Sequence, residues 1–438
     1  MTRPSRDGLY WEDGLWDITP RWAREPSIAA IEKVCRRKLG VDDSAWCDVS
    51  FFAEGAFNKL YLVKSDGDKR IMRVSLPVCP GDKTRGEVAT LSWIRRWTDV
   101  PVPEVFTFND SNNDEIGFEW ILMEFMPGAS AYSRWRGMSM AQKTALVEKI
   151  ADYQAQILNS GPQQEPFRGI GTPRLESSID VQSEEGHVVI SKMMSLAFFW
   201  GDNYDFDVPR GPFRSSHDWL SSLIRIIILN NQKVIREAED EDDKEDAERT
   251  LPIAQKLLDL LPRIFPAIQH PPERTFLQHN DLSLQNILVD DNGNLTAILD
   301  WECVSAVPLW AVTSLPDFLS GLRREEKPNR DRYADESESD VSSRYPILDN
   351  EGKQDIYWDH LLQYEQTRLR EAYAARMRKS RPDWETEVEE SLLKTDFLEA
   401  IHFCRSAFHL RSIPKWIDSI TAGKFQRLGD MLYEHPLV

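Results

Sequence analysis

The stretch His279–Trp301, HNDLSLQNILVDDNGNLTAILDW, constrains this chain more than any other. It sets His279, Asp281 and Asn286 at His-x-Asp-x4-Asn spacing, then continues in two short apolar runs, Asn286–Asp290 and Leu295–Asp300. The runs are separated by Asp291-Asn292-Gly293-Asn294, and alternating apolar residues around an Asn-Gly predict a β-hairpin. With Asp290 opposite Leu295, Asn286 falls opposite Leu299 and Asp300 lies one residue out of register. Cross-strand neighbours sit about 4.5–5.5 Å apart at Cβ. The open end of the hairpin therefore gathers an amide oxygen and a carboxylate beside the loop that carries Asp281. Taken singly, an Asp or Asn at a strand end is a cap or turn residue. The triplet followed by a hairpin ending in Asp is a much rarer combination. Two hard oxygen donors and a neighbouring base suit a magnesium–nucleotide site.

Such a site needs a second half to hold the nucleotide, and 438 residues are enough for one. A hydrophobic content of 41% with 15 tryptophans indicates a globular chain. The 53 basic and 72 acidic residues leave a net charge of −19, which argues against nucleic acid or an anionic membrane as the main partner. Part of that charge is concentrated in Glu237–Glu248, so the total overstates the charge of any pocket. The five cysteines (Cys35, Cys47, Cys79, Cys303 and Cys404) lack CxxC spacing and are odd in number. Neither a disulfide framework nor a zinc site follows, and a reducing compartment is expected. The N-terminus carries acids and tryptophans where a signal peptide needs an apolar core, and the apolar runs are too short to span a bilayer. The expected location is cytoplasmic.

Upstream, Ser27–Leu39 reads as a helix, and the segments from Asp48 onward read as three adjacent antiparallel strands. The bend Gly55-Ala56-Phe57-Asn58 is a short small-residue loop whose N–H groups would face phosphates, although it has one glycine and not three. Arg73 shares a strand face with Ile71 and Ser75, which makes it either a solvated edge residue or a paired functional cation. Glu87, on the following helix Lys83–Trp97, is its candidate partner. Strands at Glu104–Asn109 and Phe118–Phe125 lead to Pro127-Gly128, a break that suits a hinge. Its backbone at Glu124–Met126 would meet an adenine edge, with Ile121 and Met123 packed nearby. Beyond it the chain turns helical. Ser139–Ser160 opens with a capping box formed by Ser139 and Gln142, and Ser216–Arg236 and Thr250–Phe265 follow. Short strand signals fall at Ile179–Val181 and Val188–Ile190, and the acidic run after Arg236 reads as a solvated loop or helix extension. A helix-like segment reaches about Leu322. Arg323–Ser343 is charged and serine-rich, which reads as a mobile linker. Asp355–Lys379, Thr386–Ser406 and a short terminal helix complete the chain.

With its parts in this order, the chain resembles the aminoglycoside phosphotransferase family of protein-kinase-like small-molecule kinases, which has choline-kinase and homoserine-kinase-like relatives. The resemblance rests on HNDLSLQN, LTAILDWE, the RVSLP strand, the Glu87 helix and LMEFMPG, and covers about residues 45–320. The RVSLP wording and the leader rich in Trp and Pro are similar to filamentous-fungal members. The resemblance implies an α+β, bilobal, protein-kinase-like fold. Residues 1–44 would be an extension packing on the lobes. Residues 45–128 would form a nucleotide-binding lobe with an antiparallel sheet and one helix. Residues 129–438 would form a mostly helical lobe holding the catalytic loop, 279–302, and the charged linker, 323–343.

The resemblance also implies roles. Asp281 would take the proton of an acceptor hydroxyl, with His279 supporting its loop. Asn286 and Asp300 would bind Mg2+. Gly55, Ala56, Phe57 and Asn58 would cover the phosphates of ATP, Arg73 anchored by Glu87 would bind them, and Met123, Glu124 and Met126 would surround the adenine. Two departures bear on the substrate and the rate. Arg73 stands where kinases carry Lys, and its planar fork differs from a point ammonium. Protein kinases carry Asp-Phe-Gly where this chain has Asp300-Trp301-Glu302, and the chain shows no Ala-Pro-Glu segment. The expected activity is therefore ATP- and Mg2+-dependent O-phosphotransfer to a small hydroxylated molecule. The acidic balance favours a cationic acceptor such as an amine or amino sugar. A weak, nucleotide-binding pseudokinase or scaffold is the second reading, and a protein kinase is the third.

Overall fold

The computed structural model describes residues 5–14, 18–160, 167–176, 188–268, 270–336, 349–404 and 409–433. Its chain opens with an antiparallel hairpin, β1 (Leu9–Asp13) and β2 (Ile18–Trp22), which composition alone did not reveal. Helix α1 (Ile28–Leu39) follows, capped by the Ser27 hydroxyl and ended by Gly40 at φ 67°. The main sheet then forms from β3 (Cys47–Glu54), β4 (Asn58–Ser65), β5 (Asp68–Ser75), β6 (Val105–Asn109) and β7 (Glu119–Glu124), in the antiparallel order β3-β4-β5-β7-β6. Three strands were expected to be contiguous. The return of β7 along β5 makes β5 the centre of five.

Both faces of this sheet are covered, and the period-two alternation of β5 decides what each covers. Met72 and Val74 point to the side packed by Ile31, Val34 and Cys35 of α1. Ile71 points the other way, into the core shared with Val88, Leu91 and Ile94 of α2 (Asp82–Trp97). Arg73 shares that second face, so it is buried at 6% exposure and cannot be a solvated edge residue.

The second lobe is built on long helices, Met140–Asn159, Ser216–Glu237, Glu241–Ile264, Asp355–Ser380 and Trp384–Phe403. The capping box of Ser139 and Gln142 opens the first. Inside the lobe Lys143 Nζ lies 2.7 Å from Glu365 Oε2, and the Trp135 indole donates to the same oxygen at 2.9 Å. This buried group ties the first of these helices to Asp355–Ser380. The acidic run after Glu237 is a three-residue break, 238–240, followed by the start of the next helix. Asp240 caps the helix Glu241–Ile264, whose first turn is Glu241, Asp242 and Asp243, where negative charge complements the helix dipole. The stretch toward Leu322 holds only a single turn, Leu309–Val312, and a short 3-10 turn, Asp317–Leu319, because Pro308 and Pro316 punctuate it. The strand expected at Ile179–Val181 lies outside the described residues, as do residues 337–343 of the expected linker. The described part, 323–336, is held in place: the Arg324 N–H donates to Thr367 Oγ1 at 2.9 Å, and Lys353 Nζ sits 2.6 Å from Asp335.

The lobes join where Ala129 and Ser130 pair with Val289 and Leu288. Thr296 donates its hydroxyl to Pro127 O at 2.7 Å. Gly128 holds φ 125°, and a Cβ there would meet Val289 O at 2.9 Å and Thr296 Oγ1 at 2.5 Å. Gly128→Ala is therefore expected to cost about 1–3 kcal/mol, seen as a lower urea midpoint with an unchanged m-value. A midpoint equal to that of the parent chain would show that this joint relaxes freely.

Candidate active site

The strand Arg274–Gln278 delivers the chain to His279, whose half-buried ring fixes the following turn. His279 Nε2 lies 2.9 Å from Leu299 O, and Nδ1 accepts from the Asp281 N–H at 3.2 Å. These partners require the neutral tautomer protonated on Nε2. Burial lowers the pKa below the ordinary histidine range, more strongly than the Leu299 carbonyl, Asp300 and Asp281 raise it. The ring also stands edge-on to Trp301, at 4.7 Å between centroids. Asp281 is exposed, and Asn286 Nδ2 donates to both its carbonyl (2.9 Å) and its Oδ2 (3.0 Å).

Asn286 stands opposite Leu299, whose N–H donates to Asn286 O at 2.8 Å. The turn differs from the expected register. Asp290 pairs with Asn294, not Leu295, and a bulge at Leu288/Val289 restores the alignment before the open end. Asp290 causes the shift, because its carboxylate accepts from the Asn292 and Asn294 N–H groups and closes a tighter turn. Asp300 then adopts φ 60°, a left-handed conformation that Asp tolerates better than most residues. That reversal turns its carboxylate back onto the first lobe.

There it enters a cluster of five charges. Arg73 lies 3.0 Å from Glu87 Oε1, 2.9 Å from Asp300 Oδ1 and 2.7 Å from Glu302 Oε2. Lys83, fully buried in the first turn of α2, reaches the same Glu302 oxygen at 2.6 Å. Asn58 Nδ2 donates to that oxygen too, at 2.9 Å, and its Oδ1 accepts from Lys83 at 3.0 Å. Burial pushes Glu302 up, but Lys83 and Arg73 bring it down to about 2. Glu87 goes the other way. Burial outweighs Arg73 and pushes it up to about 7, and its Oε2 has no protein partner. Burial works against the charge on both cations, and the carboxylates more than restore it.

Two cavities meet at this cluster. The first, ≈ 400 Å³, is a cleft between the lobes lined by Gly55, Asn58, Arg73, Glu87, Met123, Glu124 and Met126 on one side and by Asn286 and Asp300 on the other. The second, ≈ 450 Å³, lies beside Asp281 and also includes Asp300. The structure thus brings most of the expected residues together, with exceptions in the short loop. Ala56 is exposed and lines neither cavity. Phe57 turns away from the cleft and lines the second cavity, packed edge-on against Phe199 at 5.7 Å. The Gly55 N–H closes its own turn onto Asn58 O at 2.9 Å and is not free to meet a phosphate. Asn58 is spent on Glu302, Ser75 and Lys83. At the hinge, the Glu124 N–H donates to Glu104 O at 2.8 Å.

Lys83 and Glu302 escaped sequence reasoning. A cation in the first turn of a helix opposes the helix dipole, and this anomaly was the available signal. Glu302 was legible only as the residue standing where protein kinases have glycine.

With this geometry in view, comparison with known proteins fixes the class. The model of the phosphotransferase enzyme family, APH, matches residues 48–193 and 205–311, more than half of the chain. The chain belongs to that family and has its phosphotransferase fold. A subtelomeric hrmA-associated cluster protein of Aspergillus fumigatus is 26% identical over 319 residues, covering 62% of this chain and 60% of the relative. This chain thus spans about three fifths of the length of that relative. The clavilactone A biosynthesis cluster protein Y of Ampulloclitocybe clavipes is 24% identical over 308 residues, 68% of each. The crystal structure of aminoglycoside phosphotransferase APH(4)-Ia is similar at a TM-score of 0.43 and 14% identity, covering 90% of this chain and 99% of that one.

Two predictions follow from the geometry. Lys83→Met leaves a buried carboxylate short of a partner and is expected to cost about 3–5 kcal/mol by chemical denaturation; a cost under 1 kcal/mol would remove Lys83 from the cluster's energetics. His279 gives a pH dependence. Its folded pKa lies below the unfolded value of about 6.5, so the unfolded chain takes up the proton first as pH falls. The stabilisation from neutral His279 is complete above about 6.5 and is lost below it. The stability gap between the parent chain and His279→Gln should narrow from pH 7.5 to 5, and a constant gap would contradict it.

Proposed function

We propose that this chain is an ATP- and Mg2+-dependent O-phosphotransferase acting on a small hydroxylated molecule. One observation carries the reading: Asp300 lines both cavities, with Asp281 facing the second and Asn286 the first. A phosphoryl donor in the cleft and a hydroxyl in the second cavity would then meet across a single hairpin end. Family membership supports phosphoryl transfer as the reaction class.

Asp281 accepts the hydroxyl proton. The amide of Asn286 holds its carboxylate, and the neutral ring of His279 holds its backbone. Asn286 spends its Nδ2 on that task, so its Oδ1 and the Asp300 carboxylate are the hard oxygens suited to a divalent cation. Burial draws Glu87 toward its protonated form, so Arg73 and Lys83 balance Glu302 and Asp300, and the donors offered to such an ion are the Asp300 carboxylate and the Asn286 amide oxygen. When bound, Mg2+ would neutralise phosphate charge as it builds in transfer. Arg73, held by Glu87, would bind the phosphates through the Nη2 it now gives to Asp300 and Glu302. The Glu124 carbonyl and the Met126 N–H would meet the adenine, with Met123 beside it. Residues 45–128 would serve as the nucleotide lobe and 129–438 as the acceptor lobe, with the loop 279–302 between them. Among the described residues no helix is long and apolar enough to cross a membrane.

A second reading is a nucleotide-binding pseudokinase, favoured by Arg73 being engaged by three carboxylates and by the Gly55 N–H being consumed. The two separate in one experiment. The full chain is incubated with ATP, Mg2+ and a metabolite extract, and phosphate-mass additions are compared with an Asp281→Asn control. The phosphotransferase reading expects additions that fall by about 10²–10⁴-fold in the control, with the ATP-induced thermal shift retained. A thermal shift with no addition in either sample supports the pseudokinase. Additions unaffected by Asp281→Asn would remove Asp281 as the base.

A further inference from the structure

We infer that the acceptor is an uncharged, largely apolar molecule carrying a hydroxyl group, and not a polycation. The inference rests on the phosphotransferase reading and names the class of molecule that fits its second cavity. At ≈ 450 Å³ that cavity has the size of a small-molecule site. Four carboxylates among the described residues line it: Asp281, Asp300, Glu302 and Asp317. Asp300 and Glu302 are bound to Arg73, with Lys83 on Glu302 as well. Asp281 is held by Asn286 and is needed uncommitted for the hydroxyl proton. That leaves Asp317, whose charged form is disfavoured by burial and by Asp281.

All four sit at the catalytic end, since the Phe318 N–H donates to Leu282 O at 3.3 Å and fixes Asp317 beside the catalytic loop. The other walls are mostly apolar, with Trp219, Leu223, Val307 and Leu398 among them, and Gln154, Gln278 and His402 supply polar neighbours. An ammonium drawn past Asp281 into that space would lose its hydration and meet no further uncommitted carboxylate among the described residues. An apolar body loses only unfavourable contact with water. The net charge of −19 therefore does not describe this cavity, and the cationic acceptor suggested by composition does not fit it.

The rim points the same way. Residues 194–204 lie outside the family match, as does everything before residue 48. These two segments pack on each other. Trp11 meets Trp200 at 5.1 Å, Arg6 donates to Phe199 O at 2.5 Å, and the Arg6 guanidinium lies 3.7 Å from the Tyr204 ring centroid. Together with Phe57 they brace Ser195, Leu196 and Ala197 at the cavity mouth, where Leu196 remains 50% exposed. An exposed leucine beside a cavity, on a segment outside the family match, offers an apolar contact to a ligand. Two wall residues, Trp219 and Ser305, also carry a buried indole N–H and a hydroxyl with no protein partner. An oxygen-bearing ligand would answer these after a small adjustment.

The test uses the full chain with ATP and Mg2+, and offers farnesol and 2-naphthaleneethanol against kanamycin and hygromycin B. Binding is read by tryptophan fluorescence, and transfer by phosphate-mass addition. The expected result is binding and transfer for the apolar alcohols, at least tenfold better in kcat/KM than for the amino sugars. Leu196→Asp should raise the apolar KM at least tenfold while retaining the ATP-induced thermal shift that reports a folded chain. Better transfer to the amino sugars, or an apolar KM unmoved by Leu196→Asp, overturns the inference and leaves the phosphotransferase reading intact. Where no transfer to either class occurs, the metabolite-extract assay decides the phosphotransferase reading and binding decides the inference. Apolar alcohols bound in preference to amino sugars uphold it, and any other binding pattern overturns it.

Discussion

The geometry of both cavities depends on one oxygen, Glu302 Oε2, which accepts from Arg73, Lys83 and Asn58 at once. The donors belong to the central strand, the first turn of α2 and the mouth of β4, and the acceptor to the end of the catalytic hairpin. The node therefore adds a charged contact to an apolar core that itself runs from Ile71 and Val88 of the first lobe to Ile287 and Ile298 of the hairpin. A buried ion pair contributes little net stability over an apolar equivalent, yet removing one partner is costly. Such a node is better understood as fixing position. It holds Asp300 where it can face both cavities, and it keeps Arg73 and Glu87 in line beneath the cleft.

The same hairpin is fastened at its other end. Thr296 holds Pro127, Leu288 and Val289 pair with Ser130 and Ala129, and Gly128 passes where no Cβ would fit. The hinge and the hairpin that carries Asn286 and Asp300 are thus tied by strand pairing and by the Thr296 hydroxyl. On the proposed reading, nucleotide contact and metal-ligand position would belong to one fastened piece. The second cavity is assembled differently, from helix faces and from a rim against which Arg6 and Trp11, far away in sequence, pack.

That contrast explains what the sequence made legible. The hairpin signal at Asn292-Gly293, the His279–Asn286 spacing, the capping box at Ser139 and the break at Gly128 are all local, written within a few residues of where they act. Arg73 was readable as a charged residue on an apolar strand, but its burial follows from β7 returning along β5, a pairing between residues about fifty apart. The bulge at Leu288/Val289 was hidden because the side chain of Asp290 competes for turn N–H groups that a pattern of apolar residues does not describe. Phe57 could not be placed, since its partners Phe199 and Trp200 lie in a segment without any motif. Glu302 and Lys83 are ordinary charged residues until the fold brings them together. Cavity chemistry was the least legible of all, because net charge is a sum over surfaces that never meet.

Charge balance at the junction carries one further consequence. Two cations face Glu87, Glu302 and Asp300, and the buried Glu87 responds by favouring its protonated form, with one oxygen unpartnered. A divalent cation on Asp300 would weaken the hold of that carboxylate on Arg73. Phosphate would then supply the negative charge that Arg73 gives up. In that exchange Glu302 keeps its contacts with Lys83 and Asn58, so the hairpin stays in place while one ligand of Arg73 is replaced by another. A second cation at Lys83 is what permits this. Were Arg73 alone with Glu302, releasing it toward a nucleotide would leave a buried carboxylate unpaired. With Lys83 present the guanidinium would change partners without leaving Glu302 unpaired, which on the proposed reading would make arginine in place of the usual lysine compatible with a phosphate site.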